Sequence, residues 1–212
     1  DYASNPYYIL DRARSTGTTH DLIGTSTLNY KILPWLTATY RLGTTVGSSY
    51  SRSTSEAFTY SPFAKTSGKY NSVNDVFASV SDGQSIGTRI TSEAFLAGQK
   101  DFGKISVDGL IGQSYRETFS KSVSVSGSNL IIPTLFNISN RTGEPGAGES
   151  FSETKLMGVF GKASVGYDNW AFLEVTGRND WDSRLPITGR SFFYPGASAS
   201  VVLSDAIKAI KN

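Results

Sequence analysis

WAFLEVTGRNDWD, residues 170–182, alternates from its second position onward. Ala171, Leu173, Val175 and Gly177 fall on one parity, and Phe172, Glu174, Thr176 and Arg178 on the other. A period of two is the pleat of a β-strand, whose successive side chains leave on opposite faces. Such a strand needs an apolar surface on one side and water on the other. The flanking stretches repeat the pattern. Upstream, Val159, Gly161, Ala163, Val165 and Tyr167 oppose Phe160, Lys162, Ser164 and Gly166; downstream, Ala197, Ala199, Val201 and Leu203 oppose Ser198, Ser200 and Ser204. Whether that apolar surface is a protein core or a lipid bilayer decides the function.

Composition narrows the choice. The 212 residues include 21 Gly, 12 Phe and 11 Tyr, with abundant Ser and Thr and few helix-building blocks, so the chain reads as all-β. Net charge is +2 and the basic residues are scattered singly, which removes the massed cationic face of a nucleic-acid binder. No run approaches the ~18 consecutive apolar residues of a membrane-crossing helix. A β-barrel stays open, because its strands need only ~9–11 residues and are apolar on alternate positions alone. Cysteine is absent and His20 is the single histidine, so neither a thiolate metal site nor a serine triad has its parts.

Along the chain, residues 1–14 read as an Asn-Pro turn with a short aromatic run, and residues 15–19 as a polar turn. Strands follow over residues 21–30, 36–50, 89–100 and 104–119, and then the three around the opening stretch. The connections alternate. Short ones at residues 31–35, 101–103 and 168–169 interleave with long ones at residues 51–87 and 120–150, the first with a local strand or helical turn at residues 73–80, and a moderate one at residues 182–192. Short turns at one rim and long loops at the other is the layout of an outer-membrane barrel. Aromatics at strand ends (Tyr30, Trp35, Tyr40, Phe102, Tyr167, Trp170, Phe192, Phe193, Tyr194) suit interfacial girdles, or equally the rims of a soluble sandwich.

Residues 175–186, VTGRNDWDSRLP, preceded by GVFGKASVGYDNWAFLE and followed by RSFFYPGASASVVL, closely resemble the late-barrel segment of the SusC/RagA family of TonB-linked outer-membrane transporters. NPYYIL (residues 5–10) and LNYKILPWLTATYRLGT (residues 28–44) are similar to that family's barrel in the same order. The resemblance implies a 22-stranded barrel plugged from within, in the outer membrane of a Gram-negative bacterium. It also implies a SusD-like surface lipoprotein over the mouth, energy from the TonB-ExbB-ExbD complex, and import of oligosaccharides or peptides. About seven strands are too few to close such a barrel, so residues 1–212 read as part of the barrel domain, with residues 51–87 and 120–150 as extracellular loops.

On the barrel reading, Ala38, Tyr40, Leu42, Val107, Val165, Leu173, Val175 and Ala199 face lipid, and Arg41, Lys162, Glu174 and Arg178 face the lumen. Arg178, Asp180, Trp181 and Asp182 form the candidate substrate-binding end: Trp181 offers a flat apolar ring to a sugar, flanked by hydrogen-bonding charges, and is equally a girdle tryptophan. Residues 179–182, NDWD, space oxygen ligands like a minimal calcium loop, but without the glycine and distal glutamate of an EF-hand. No other metal or cofactor is expected. A carboxylate pair from Glu174 and Asp180 would suit a glycosidase; Arg178 between them favours a charge ladder, so no catalysis is expected. The competing class is a soluble, extracellular β-sandwich that binds glycan.

Overall fold

In a computed structural model the described residues are 6–66 and 74–207. Seven strands carry the chain: β1 (Ala13–Leu33), β2 (Leu36–Ser55), β3 (Ser79–Phe102), β4 (Ile105–Ser128), β5 (Gly146–Tyr167), β6 (Ala171–Asp182) and β7 (Ser191–Val201). They hydrogen-bond in sequence order, β1 to β7, which leaves β1 and β7 as the two edges of an all-antiparallel meander. Short helices α1 (Pro6–Arg12), α2 (Pro62–Thr66) and α3 (Leu203–Ala206) are the only α-helical segments among the described residues.

The short connections form tight turns. Asp168 and Asn169 both take positive φ, 47° and 61°, and Trp170 N–H donates to Tyr167 C=O at 3.1 Å. Two successive left-handed residues match the twist of the strands they join, and Asp and Asn tolerate that conformation. Gly103, at φ 64°, makes the corresponding reversal between β3 and β4.

Two sequence expectations are corrected. The Asn-Pro turn and aromatic run expected over residues 1–14 begin outside the described residues, and from Pro6 to Arg12 the chain is instead α1; β1 begins at Ala13, so residues 15–19, expected to be a turn, are strand. The loops expected at residues 51–87 and 120–150 are shorter than expected, because strand takes both their ends: β2 continues to Ser55, β3 begins at Ser79, β4 runs to Ser128 and β5 begins at Gly146. Within the first loop Val76 bridges Phe58; Val73, where a local element was expected to begin, lies outside the described residues. The cause of the misreading is chemical. These strand halves carry hydroxyls and glycines where an apolar period was sought, and a strand with water on both faces has no hydrophobic alternation to show.

The strands are also longer than a bilayer needs. β3 and β4 have 24 residues each, against ~9–11 for a membrane crossing. By contact the chain divides into two compact units. One comprises residues 22–46, 88–119 and 153–212, the other residues 1–21, 47–87 and 120–152. The first is called here the banded unit and the second the hydroxyl unit.

Burial is sparse throughout. Among the described residues the buried hydrophobics are Ala78, Val80 and Leu130, a small cluster of the hydroxyl unit with Phe136 and Ile138 packed against it. The accessible surface is 15067 Å², whereas a folded monomer of this mass exposes about 9,600 Å². Large apolar side chains share in this exposure: Leu173 is 54% exposed, Val175 48% and Phe193 65%.

Candidate functional site

Within the banded unit the pairing register sorts side chains onto two faces. Val165 lies opposite Leu173, which lies opposite Ala199; Ala163 lies opposite Val175, which lies opposite Ala197. On the alternate positions Ser164, Glu174 and Ser198 form one row, and Phe160, Arg178 and Tyr194 another. Cross-strand partners share a face, so the sheet has an apolar side and a charged side.

Three ion-pair groups stand on the charged side. Lys162 Nζ lies 3.3 Å from Asp108 Oδ2 and 3.2 Å from Glu174 Oε2, so β5 places one ammonium between carboxylates of β4 and β6. Ser164 Oγ reaches the same two carboxylates, each at 3.3 Å. Further along β6, Arg178 pairs with Asp180 at 2.8 Å, donates to Ser114 Oγ at 3.0 Å and lies 5.6 Å above the Phe160 ring. Glycine makes room for this: a Cβ on Gly158 would fall 2.3 Å from Asp180 Oδ1 and 2.5 Å from an Arg178 guanidinium nitrogen. On β2 Arg41 pairs with Glu93 at 3.7 Å and covers the Phe95 ring at 5.2 Å. Phe95 and Phe160 both crowd over Gly112, where a Cβ would meet them at 2.5 and 2.8 Å. Arg41, Lys162, Glu174 and Arg178 therefore share one face.

The apolar side has a defined height. Tyr167 and Trp170, in edge-to-face contact with centroids 6.0 Å apart, stand at the short-turn end. Trp181 and Phe193, with Val159 and Gly177, line a groove at the other end. From Ala171 to Trp181 the strand rises about 33 Å. At the ~40° tilt of barrel strands that is about 25 Å of height, the thickness of an outer-membrane apolar band.

Of the expected substrate-binding group, Arg178, Asp180 and Asp182 fall on the parity of the charged face, while Trp181 falls with Met157 on the other. The four do not converge. Asp182 is held by Arg184, whose Nε lies 2.9 Å from Oδ1, and Asn179 exchanges hydrogen bonds with Ser191 at 2.9 and 3.3 Å. The oxygens of residues 179–182 are thus divided between two faces and already engaged with arginines and a serine. Of the expected girdle aromatics, Phe193 keeps the apolar parity; Phe192 and Tyr194 lie opposite Asp180 and Arg178 on the charged side.

The hydroxyl unit has a different design. Ser49 Oγ lies 2.6 Å from Ser85 Oγ, Ser15 Oγ 3.1 Å from Ser53 Oγ, and Ser122 Oγ 2.8 Å from Ser150 Oγ. Between these pairs stand glycines: a Cβ on Gly83 would meet Ser51 Oγ at 2.8 Å, and one on Gly148 would meet Ser124 Oγ at 3.1 Å. Its ion pairs sit on the alternate positions, Arg52 with Asp82 at 3.3 Å and Lys121 with Glu149 at 2.9 Å. Sequence reading missed this wall. Its signal is the period-two serine in SKSVSVSGS, residues 120–128.

In the turns and loops, charge pairs fix the chain ends of strands. Lys104 donates to Asp168 at 2.8 Å, and that hydrogen bond raises the ammonium pKa above its ordinary value. Asp75 accepts from Lys65 Nζ at 2.7 Å and from the Tyr60 amide at 2.8 Å, and is held below the usual carboxylate range by the Lys65 bond first and the amide second.

Solved structures share this architecture. The chain is similar to a structure of the RagAB peptide transporter at a TM-score of 0.82, with 15% identity, over 98% of this chain and 22% of that one. The fold is that of a stretch of a RagAB chain. The RagAB peptide importer in its closed-closed state gives a TM-score of 0.80 at 14% identity, over 95% of this chain and 22% of that one. In its open-open state it gives 0.77 at 16%, over 92% and 20%. This chain thus spans about a fifth of the length of the RagAB chains. No family model matches the sequence, and no curated protein does. At this identity the likeness establishes the fold, an antiparallel sheet of barrel type, and these neighbours are transport proteins.

Proposed function

We propose that the chain is part of the wall of a TonB-dependent transporter barrel of SusC/RagA type in the outer membrane of a Gram-negative bacterium. In this reading it imports peptides or oligosaccharides, works with a SusD-like surface lipoprotein and takes its energy from the TonB-ExbB-ExbD complex. The observation that supports this is the division of the banded unit. Its apolar face is uncovered, about 25 Å tall and bounded by aromatics, and its opposite face carries paired charges. A water-soluble sandwich would cover that apolar face with a second sheet, and no such layer exists among the described residues.

Each part then has a role. Ala38, Tyr40, Leu42, Val107, Val165, Leu173, Val175 and Ala199 contact lipid. Arg41, Lys162, Glu174 and Arg178 line the lumen, where mutual pairing keeps the wall hydrated without a net field that would trap one sign of solute. Arg178 and Asp180, with Asp182 beyond them, are the part of that wall to which a peptide or sugar passing the lumen would bond. The short turns face the periplasm and the long connections the exterior. Selection and translocation are transport steps, and the reading assigns no catalytic residue.

The test uses the full-length protein. Membranes are fractionated, and single cysteines at Leu173, Val165 and Ser164 are probed in the intact outer membrane with a water-soluble maleimide. Expected is outer-membrane fractionation with detergent-dependent extraction, protection at Leu173 and Val165, and labelling at Ser164. Free solubility with labelling at Leu173 would sink the barrel and favour the glycan-binding sandwich.

A further inference from the structure

The apolar face of the banded unit is not smooth. Gly98, Gly109 and Ala163 form the floor of a groove of about 630 Å³ walled by Leu36, Leu96 and Ile111. Glycine fits the floor closely. A Cβ on Gly98 would sit 3.2 Å from the Trp35 carbonyl and 3.3 Å from its ring, so the absence of a side chain at residue 98 lets the indole pack tightly on β3. At Gly109 a Cβ would come within 3.2 Å of the Lys162 carbonyl. The groove ends, at the short-turn rim, on Lys100.

Lys100 stands on the apolar parity of β3, outside the paired network of the charged face. Its ammonium lies 5.9 Å from the Trp35 ring centroid and 5.3 Å from that of Phe102, held by two π faces and by no carboxylate among the described residues. The nearby Asp168 is taken by Lys104, and Asp101 is on the opposite parity of β3. Asp108, which stands beside the groove, is paired with Lys162 on the other face. An ammonium on an apolar stem between aromatic rings is the arrangement that carries a cation to the interface of a bilayer.

We propose that this groove is a fixed binding site for one anionic phospholipid. One acyl chain lies over Gly98, Gly109 and Ala163, and the headgroup phosphate pairs with Lys100. The inference rests on the membrane reading above, in which the short turns lie at the periplasmic rim. The groove explains the chain and the unpaired cation explains the headgroup; neither is needed for a barrel that merely floats in lipid.

The experiment places the full-length protein in nanodiscs of phosphatidylcholine doped with phosphatidylglycerol and reads, by native mass spectrometry after release, which lipid stays bound. Expected is retention of phosphatidylglycerol over phosphatidylcholine by about fivefold, the effect of one basic side chain at a charged membrane surface. Lys100→Gln should abolish the preference while leaving a lipid bound. Ala163→Phe, which fills the groove from a lipid-facing position, should abolish retention of both while the protein still runs as a folded, heat-modifiable barrel. Equal retention of the two lipids by the native protein, or retention unchanged in both variants, overturns the site. If the protein does not enter the membrane fraction at all, the transporter reading fails first and the lipid site with it; membrane insertion without selective retention defeats the lipid site alone.

Discussion

The cross-strand ion pairs of the banded and hydroxyl units stand on opposite parities of the same strands, apart from Lys155 with Glu117 and Glu153, which lie at the banded unit's margin on the parity used by the hydroxyl unit. In the banded unit charge stands at Arg41 of β2, Glu93 of β3, Asp108 of β4 and Lys162 of β5. In the hydroxyl unit it stands at Arg52 of β2, Asp82 of β3, Lys121 of β4 and Glu149 of β5, each an odd number of residues away. The parity that carries charge in one unit carries serine and glycine in the other. On the barrel reading proposed above, passage of a strand from hydrocarbon into water accounts for the exchange. Where one face meets lipid, mid-strand charges stand on the other and only those at the margins, Lys100 and Lys155 with its two glutamates, stand on the apolar parity; once water reaches both, the outward positions accept charge and the inward ones are free to become small and neutral.

The largest test of that contrast is an arginine placed on the apolar parity of each unit. Leu173→Arg should lower folding stability in a bilayer by about 2–4 kcal/mol if residue 173 sits near the midplane, while Val123→Arg, in the hydroxyl unit, should cost about 0–1 kcal/mol. Denaturant titration of the full-length protein refolded into vesicles measures both, and equal costs would break the comparison.

A smaller effect separates the ion pairs. Removing the central ammonium by Lys162→Met leaves the Asp108 and Glu174 carboxylates with only the Ser164 hydroxyl between them, and should cost about 1 kcal/mol. Lys121→Met breaks a single exposed pair with Glu149 and should cost no more than about 0.5 kcal/mol. A double-mutant cycle with Glu174 and with Glu149 isolates the two couplings; a larger coupling at Lys121 would invert the expected order.

The smallest effect concerns the loop of the hydroxyl unit. Because the Asp75 carboxyl is held below its ordinary range by Lys65, its contribution to loop order is complete above the pKa of a free aspartate. It disappears as pH falls through the depressed folded value. Proteolytic nicking between residues 56 and 78 should therefore accelerate in acid, and Lys65→Met should remove most of that dependence; a flat profile in the native protein would show that the pair orders nothing.

How much of this was legible in the residues differs between the units. Around β5, β6 and β7 the two-residue period assigned both strands and faces, because apolar and polar chemistry alternate there from one residue to the next. The placement of Leu173, Val175, Glu174 and Arg178 was readable there. Around residues 51–87 and 120–150 the same rule failed. Serine on one parity and a mixture of Val, Tyr, Arg and Lys on the other gave no hydrophobic contrast, so strand was taken for loop. The candidate end group fared in between: Arg178, Asp180 and Asp182 share a parity, but Trp181 was grouped with them by closeness in sequence although adjacent strand residues point apart.

The sequence by itself determined that the chain is β, that its strands are joined by alternating short and long connections, and that two faces of unlike chemistry exist. Each follows from local rules: pleat, turn conformation, side-chain polarity. Only the tertiary structure decided which charge meets which. The triad of Lys162 with Asp108 and Glu174, the guanidinium of Arg178 over Gly158, and the unpaired Lys100 above its groove all depend on cross-strand register. Register joins residues as far apart as Asp108 and Lys162, and it is set by all the strands pairing together rather than by any one of them.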